Sequence, residues 1–160
     1  KVVEQVTKAV RKVTDKPVIV KLSPNVTDIV EIAKAVEAGG GNGVSLINTL
    51  LGMAIDIHRR KPLLGNIYGG LSGPAVKPVA LRMVHQVYKG VTIPIIGLGG
   101  IMSGTDAIEF MMAGAQAVQV GTATMVDPTA ISRIAREMGD YVERYNLNSI
   151  TDIIGAVHQS

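Results

Sequence analysis

Apolar positions in this chain follow two spacings, and the spacing predicts the elements. Over residues 2–14, Val2, Val3, Val6, Ala9, Val10 and Val13 recur every three to four positions, with Lys8, Arg11 and Lys12 opposite. This predicts an amphipathic helix despite its β-branched residues. Lys16-Pro17 breaks it. The run Val18-Ile19-Val20-Lys21-Leu22 then predicts a buried parallel strand, closed by Ser23-Pro24-Asn25. Thr27 is the predicted cap of a second helix, with Asp28 and Glu31 in its first turn and Ile29, Ile32, Ala33 and Val36 as its stripe. A loose glycine turn, 39–43, leads into a strand over 43–47. After it the rhythm breaks. Asn48 to Gly73 is a long excursion whose alternation around 54–57 and 63–67 predicts a small hairpin, and excursions of that length are usually functional or disordered.

The rhythm resumes at Pro74, which opens a helix with Val76, Val79, Ala80, Met83, Val84 and Val87 inward and Gly90 at its end. A strand over 93–98, a helix over 103–113 opened by Ser103-x-x-Asp106, and a strand over 117–120 follow. Asp127-Pro128 caps a helix with Ile131, Ile134, Ala135 and Met138 on one face, and Ser149-x-x-Asp152 opens a short last one. The count is four strands, each followed by a helix. Connections of that length require parallel strands with right-handed crossovers. Without the excursion the repeat is about 25 residues, which fits the β/α barrel unit. The predicted fold class is therefore α/β, a (β/α)8 TIM barrel of which residues 1–160 supply four units as a single domain. Half a barrel has two open strand edges and, by expectation, an open apolar inner face. Association with a missing half of the barrel, or a homo-oligomer, is expected to cover them.

Composition narrows the function. The chain of 160 residues is 47% hydrophobic, but no run approaches the ~20 residues of a membrane span. The charged, amphipathic N-terminus is no signal peptide, and the missing initiator Met suggests a start inside a larger protein or after a cut. There is no cysteine, so no zinc–thiolate or iron–sulfur site can be built from this chain, and a cytoplasmic location is expected. The net charge of +3 is scattered and aromatics make up only 3%, which argues against a nucleic-acid surface.

The candidate chemistry sits at strand ends. The strands Pro94–Gly100 and Ala117–Thr122 both finish in glycine, at the same edge of the expected sheet. There Gly99, Gly100, Gly121 and Thr122 can converge on one anion, since glycine lets a phosphate approach bare backbone. In β/α barrels the last two strand loops commonly build a phosphate site; ordinary βα turns are the plainer alternative. Lys21, read as buried near the end of its strand, is either a functional cation or half of a structural ion pair. Asn48 and Thr49 either bind a carbonyl-rich ligand or cap a turn. The run His58-Arg59-Arg60-Lys61 reads as a solvated loop or a docking patch, and His85 and His158 carry no evident chemistry. No nucleophile–base pair is present.

These residues also carry a resemblance. VKLSPNVTDI (20–29), INTLLGMAIDI (47–57), GGLSGPAVKPVALRMV (69–84), IPIIGLGGI (93–101) and VQVGTAT (118–124) resemble the catalytic subunit of class 1 dihydroorotate dehydrogenases, the NAD-linked 1B type in particular, over essentially the whole chain. The match begins near the middle of that family's chain, so it corresponds to the C-terminal half. The resemblance implies an FMN-binding barrel that oxidises (S)-dihydroorotate to orotate in pyrimidine biosynthesis. It implies electrons passed to NAD through a partner subunit that carries FAD and [2Fe-2S]. By the same match, Lys21 corresponds to the lysine beside the flavin pyrimidine ring, Ile47 and Gly73 to flavin contacts, Asn48 and Thr49 to orotate ligands, and Gly99, Gly100, Gly121 and Thr122 to the FMN phosphate clamp. The family's base, a loop cysteine, lies in the other half, so no catalytic residue is expected in this chain and the 160 residues alone are expected to be inactive. The competing readings are another phosphate-clamping barrel enzyme and a non-catalytic half-barrel fragment.

Overall fold

The computed structural model describes residues 1–158. Helix α1 (Val2–Arg11) precedes strand β1 (Ile19–Leu22), helix α2 (Ile29–Ala38) and strand β2 (Gly43–Leu46). The excursion folds as β3 (Leu50–Met53), β4 (Ile55–Asp56), β5 (Lys61–Pro62) and β6 (Tyr68–Leu71). A 3-10 turn at Pro74–Val76 leads into α3 (Lys77–Tyr88), then β7 (Ile95–Leu98), α4 (Gly104–Met112) and β8 (Ala117–Gln119). Helices α5 (Thr122–Val126) and α6 (Ala130–Arg144) follow, with 3-10 turns at Ile150–Ile153 and Ala156–His158.

Strands β1, β2, β7 and β8 form one parallel four-stranded sheet in that spatial order. The order in space follows the order in the chain, with no reversal. Val44, Leu46 and Ile95 are fully buried against Val36, Ala80, Val84 and Phe110 from the helices. The other face carries Ile19, Lys21, Ser45, Ile96, Leu98, Ala117 and Gln119, and the helices leave it open. That open face is mixed, not apolar as expected, because Lys21, Ser45 and Gln119 interrupt the aliphatic positions.

Local chemistry accounts for most of the elements. Ser103 and Asp106 make the reciprocal capping box that opens α4, and Ser149 and Asp152 make another at the 3-10 turn. The cap of α2 is Asp28, not Thr27, its carboxylate accepting from the N–H groups of Val30 and Glu31. Helix α6 starts at Ala130, and Asp127 accepts instead from the N–H and hydroxyl of Thr129. The glycine turn after α2 is not loose. A Cβ on Gly39 would lie 2.7 Å from Thr7 Cβ, and one on Gly41 would lie 2.5 Å from Val36 Cγ1.

Helix α1 turns a different face inward than its valines predict. Thr7 is its buried residue, its hydroxyl satisfied by Val3 O at 2.8 Å. Val2, Val6 and Val10, with Val13 beyond the helix, are exposed. The short Thr7 side chain is what lets α1 approach Gly39. The excursion is a two-part hairpin: β3 pairs with β6, Leu50 opposite Leu71 and Met53 opposite Tyr68, and β4 pairs with β5 further out. Residues 63–67, where the alternation predicts part of the hairpin, form the bend between β5 and β6 and are not a strand.

Candidate functional site

The carboxyl ends of the four parallel strands and the root of the hairpin enclose one open cleft of about 150 Å³. Lys21 comes from β1, Ile47, Asn48 and Thr49 follow β2, Gly73 follows β6, Gly99 and Gly100 follow β7, and Gly121 and Thr122 follow β8; all nine line this cleft. Elements far apart in sequence meet here because the strands are parallel and their exits lie side by side.

The backbone at this rim is unusual. Gly73, Gly99 and Gly100 have φ of 87°, 127° and 78°, a region L-residues rarely adopt. A Cβ on Gly100 would lie 2.8 Å from both Gly73 O and Lys77 N, so the β7 exit packs directly on backbone at the start of α3. Among the described residues, the N–H groups of Gly99 and Gly100 donate to no other group of the chain. The neighbouring Ile47 N–H is committed to Leu98 O at 2.8 Å, and Asn48 N–H to Leu22 O at 2.9 Å. The Leu46–Ile47 peptide is cis. On the β8 side the Thr122 hydroxyl donates to Ser72 Oγ at 2.9 Å, joining the last strand exit to the root of the hairpin.

Lys21 is the one ionisable residue among those lining the cleft. It is exposed on the open face of the sheet, which corrects the expectation of a buried lysine, and no ion pair engages it among the described residues. Asn48 accepts at its Oδ1 from Thr49 N–H at 2.9 Å, and its amide N–H₂ has no partner among the described residues.

Several contributors have no signal in the sequence. Asp106 does more than cap α4. Its Oδ2 accepts from Met102 N–H at 2.9 Å and Ser103 N–H at 3.0 Å, and its Oδ1 accepts from Lys77 Nζ at 2.7 Å. Burial works against ionisation of Asp106, but the hydrogen bonds from Lys77, Met102 and Ser103 together outweigh it and hold the carboxyl below the usual range. The hydrogen bond to Asp106 raises the Lys77 ammonium, against the smaller effect of burial and with help from Glu109. Arg133 of α6 donates to Met102 O at 3.1 Å and pairs with Glu137 at 2.9 Å. The loop from Gly99 to Met102 is thus held from behind by charges that do not touch the cleft.

His85 and His158 stack at 4.2 Å between ring centroids, with Tyr88 beside them. Burial and the neighbouring His158 lower the His85 pKa. The pair pins the C-terminal turn on α3, away from the cleft. His58, Arg59, Arg60 and Lys61 lie at the hairpin tip, where Asp56 accepts from the N–H groups of His58 and Arg59. No group of His, Asp or Glu that could hold a metal occurs among the described residues, and none of their helices is long and apolar enough to cross a membrane.

A cationic, open cleft with unpaired backbone donors suits a phosphate-bearing ligand. Comparison with known proteins bears on which one. The model of the family described as "Dihydroorotate dehydrogenase" matches residues 1–142. A protein of Alkaliphilus oremlandii named dihydroorotate dehydrogenase B (NAD(+)), catalytic subunit, is 63% identical over 153 residues, covering 96% of this chain and 51% of that protein. Proteins of the same name from Desulforamulus reducens and Geobacter metallireducens are 63% and 64% identical, over 96% and 95% of this chain and 51% and 50% of their own lengths. The chain spans about half the length of the curated relatives it matches, corresponding to their C-terminal half.

Proposed function

This chain belongs to the dihydroorotate dehydrogenase family, and from that premise we propose that it is half of the catalytic barrel of an NAD-linked dihydroorotate dehydrogenase. The whole protein would oxidise (S)-dihydroorotate to orotate in pyrimidine biosynthesis, in the cytoplasm. A partner subunit bearing FAD and [2Fe-2S] would carry the electrons to NAD. The observation that supports this best is the meeting, in a single cleft, of a lysine and an amide that have no partner among the described residues with two glycine turns.

The residues present fit FMN. The N–H groups of Gly99 and Gly100, with Gly121 and Thr122 across the cleft, would hold its phosphate. Ile47, almost wholly buried, and Gly73 would wall the ring system. FMN, when bound, supplies the acceptor for the hydride that leaves dihydroorotate. Lys21 would place its ammonium where negative charge accumulates during that transfer, an electrostatic contribution. Asn48, through its free amide N–H₂, and Thr49, through its hydroxyl, would orient the planar, carbonyl-rich substrate. The proton lost from dihydroorotate needs a base from the other half of the barrel. The cleft volume of about 150 Å³ is smaller than the roughly 300–1,000 Å³ of a ligand pocket, which fits a site that other residues complete.

Titration of the full-length protein with FMN and riboflavin tests the reading. Two charge-assisted hydrogen bonds at roughly 1.5–3 kcal/mol each favour FMN by a hundredfold or more. Dihydroorotate should then bleach the bound flavin. Equal affinity for the two flavins removes the phosphate clamp, and binding of sugar phosphates in preference to FMN points to a different barrel enzyme.

A further inference from the structure

Asn25 lies outside the cleft, in the loop that leaves β1, and its side chain reaches the root of the hairpin. Its Nδ2 donates to Thr49 O at 3.0 Å, and its Oδ1 accepts from Leu51 N–H at 3.0 Å. The carboxamide thus acts as a peptide group would in a strand ladder, donating and accepting on either side of Leu50. The amide is oriented in turn by Ser23 Oγ, which accepts from Asn25 N–H at 3.2 Å and from Nδ2 at 3.3 Å. The residues so held are the ones immediately after β2. Asn48 N–H is tied to Leu22 O at the end of the same strand, β1. The two ties fix Asn48-Thr49 between β1 and β3 at the mouth of the cleft.

We propose that Asn25 is a positioning residue for the substrate. By clamping Thr49 O and Leu51 N–H, it holds the free amide of Asn48 and the hydroxyl of Thr49 at the angle that a carbonyl-rich planar ligand requires. This rests on the assignment of Asn48 and Thr49 as orotate ligands. It also separates the site into two independently supported halves. The phosphate end is held from behind by Asp106, Lys77 and Arg133, and Asn25 touches none of them. Only amide chemistry can fill the role. An aspartate keeps the acceptor for Leu51 N–H but sets a carboxylate against Thr49 O, where a donor is required.

The test uses the full-length protein loaded with FMN, with Asn25→Ala and Asn25→Asp beside the unaltered protein. The readouts are FMN affinity, orotate affinity from the flavin absorbance change, KM and kcat for dihydroorotate, and hydrogen exchange at Leu51 N–H. Both variants should weaken orotate binding about tenfold or more and raise KM in proportion, the consequence of losing oriented hydrogen bonds. FMN affinity should stay within threefold. Leu51 N–H should exchange faster in Asn25→Ala and stay protected in Asn25→Asp. Orotate affinity within twofold of the unaltered protein in both variants overturns the proposal, as does a parallel loss of FMN and orotate, which would mark a purely structural role. If the unaltered protein binds FMN but not orotate, the assignment of Asn48 and Thr49 fails, and the role of Asn25 fails with it. If it binds orotate and the variants do too, only the role of Asn25 fails.

Discussion

Gly100 and Gly121 face the same cleft, and a methyl group added at each meets opposite surroundings. At Gly100 the backbone has φ +78°, and a Cβ would stand 2.8 Å from Gly73 O and from Lys77 N. Alanine there costs about 1–2 kcal/mol for the left-handed backbone alone. It costs more for displacing backbone that cannot swing aside as a side chain tip can. Gly121 has φ −112°, and beyond its chain neighbours nothing lies within 4 Å of the position a Cβ would take. Gly121→Ala should therefore leave folding within about 0.5 kcal/mol of the unaltered protein. Its methyl would occupy the approach of the phosphate. If it breaks one charge-assisted hydrogen bond of roughly 1.5–3 kcal/mol, FMN affinity falls by about ten- to a hundredfold or somewhat more. Riboflavin has no phosphate to lose, so its affinity should stay unchanged.

The assay is quenching of flavin fluorescence for both flavins, run beside thermal melting. Gly121→Ala is expected to melt within a degree or two of the unaltered protein and to show a preference for FMN reduced by that same factor. Gly100→Ala should melt several degrees lower, at about 2–4 °C per kcal/mol, and also bind FMN poorly. An undiminished FMN preference in Gly121→Ala, with melting unchanged, would mean that the phosphate does not sit on these turns. An unperturbed melting temperature in Gly100→Ala would refute the steric reasoning itself.

Three further outcomes follow from the same geometry. The Asp106 carboxyl is held low, so its contribution is complete above the ordinary aspartate range and is lost as pH falls through its lowered value; Lys77 is held high, so its contribution is complete at neutral pH and is lost as pH rises through its raised value. Melting of Asp106→Asn should accordingly show a smaller loss of stability between about pH 5 and pH 2 than the unaltered protein, and equal acid sensitivity would contradict the tie. Lys21→Met should slow dihydroorotate-dependent flavin reduction by about a hundredfold in stopped-flow measurement, with FMN bound within a few-fold of normal, since one preorganised charge is removed. The 160 residues alone should show negligible dihydroorotate oxidation, because general-base help worth about 10²–10⁴-fold is absent; turnover near that of the full-length protein would reveal a base among the described residues.

What the sequence made legible depended on how local the cause was. Strands β1, β2, β7 and β8 were evident because β-branched runs end abruptly in Pro, Gly or Asn, and the two Ser-x-x-Asp boxes mark their helix starts unaided. The convergence of Gly99, Gly100, Gly121 and Thr122 was legible too, since parallel strands bring their exits to one edge whatever the side chains, whereas Ile47 and Gly73 were pointed to only by the family resemblance. The inward face of α1 was not. Valine periodicity shows where a helix is apolar, but the contact was decided by the need for a small residue opposite Gly39, and Thr7 met it. Lys21 was misread as buried because an apolar run gives no sign of which sheet face is covered. The clamp at Asn25 and the pair of Lys77 with Asp106 join residues 24 to 29 positions apart, beyond the reach of any spacing argument.

The supports of the cleft also explain why its two ends should respond differently to loss of the other half of a barrel. The glycine turns are fixed by groups on the helix side of the sheet: Asp106 on the N–H groups of Met102 and Ser103, Arg133 on Met102 O, and the backbone of Gly73 and Lys77 against Gly100. All of these lie within the described residues and do not depend on the open face. The substrate end rests on a hairpin whose sides expose Leu51, Ile55, Ile57, Leu63 and Tyr68, and on the two hydrogen bonds from Asn25. Lys21 stands on the open face, and among the described residues no ion pair fixes its ammonium. A phosphate grip can thus form from these elements alone, whereas orientation of a substrate against a flavin needs surfaces that pack on the hairpin and on the open face. On the family reading, the chain carries a nearly complete anion site and an incomplete reaction site, and Thr49 and Gly73 mark the two sides of the same hairpin root.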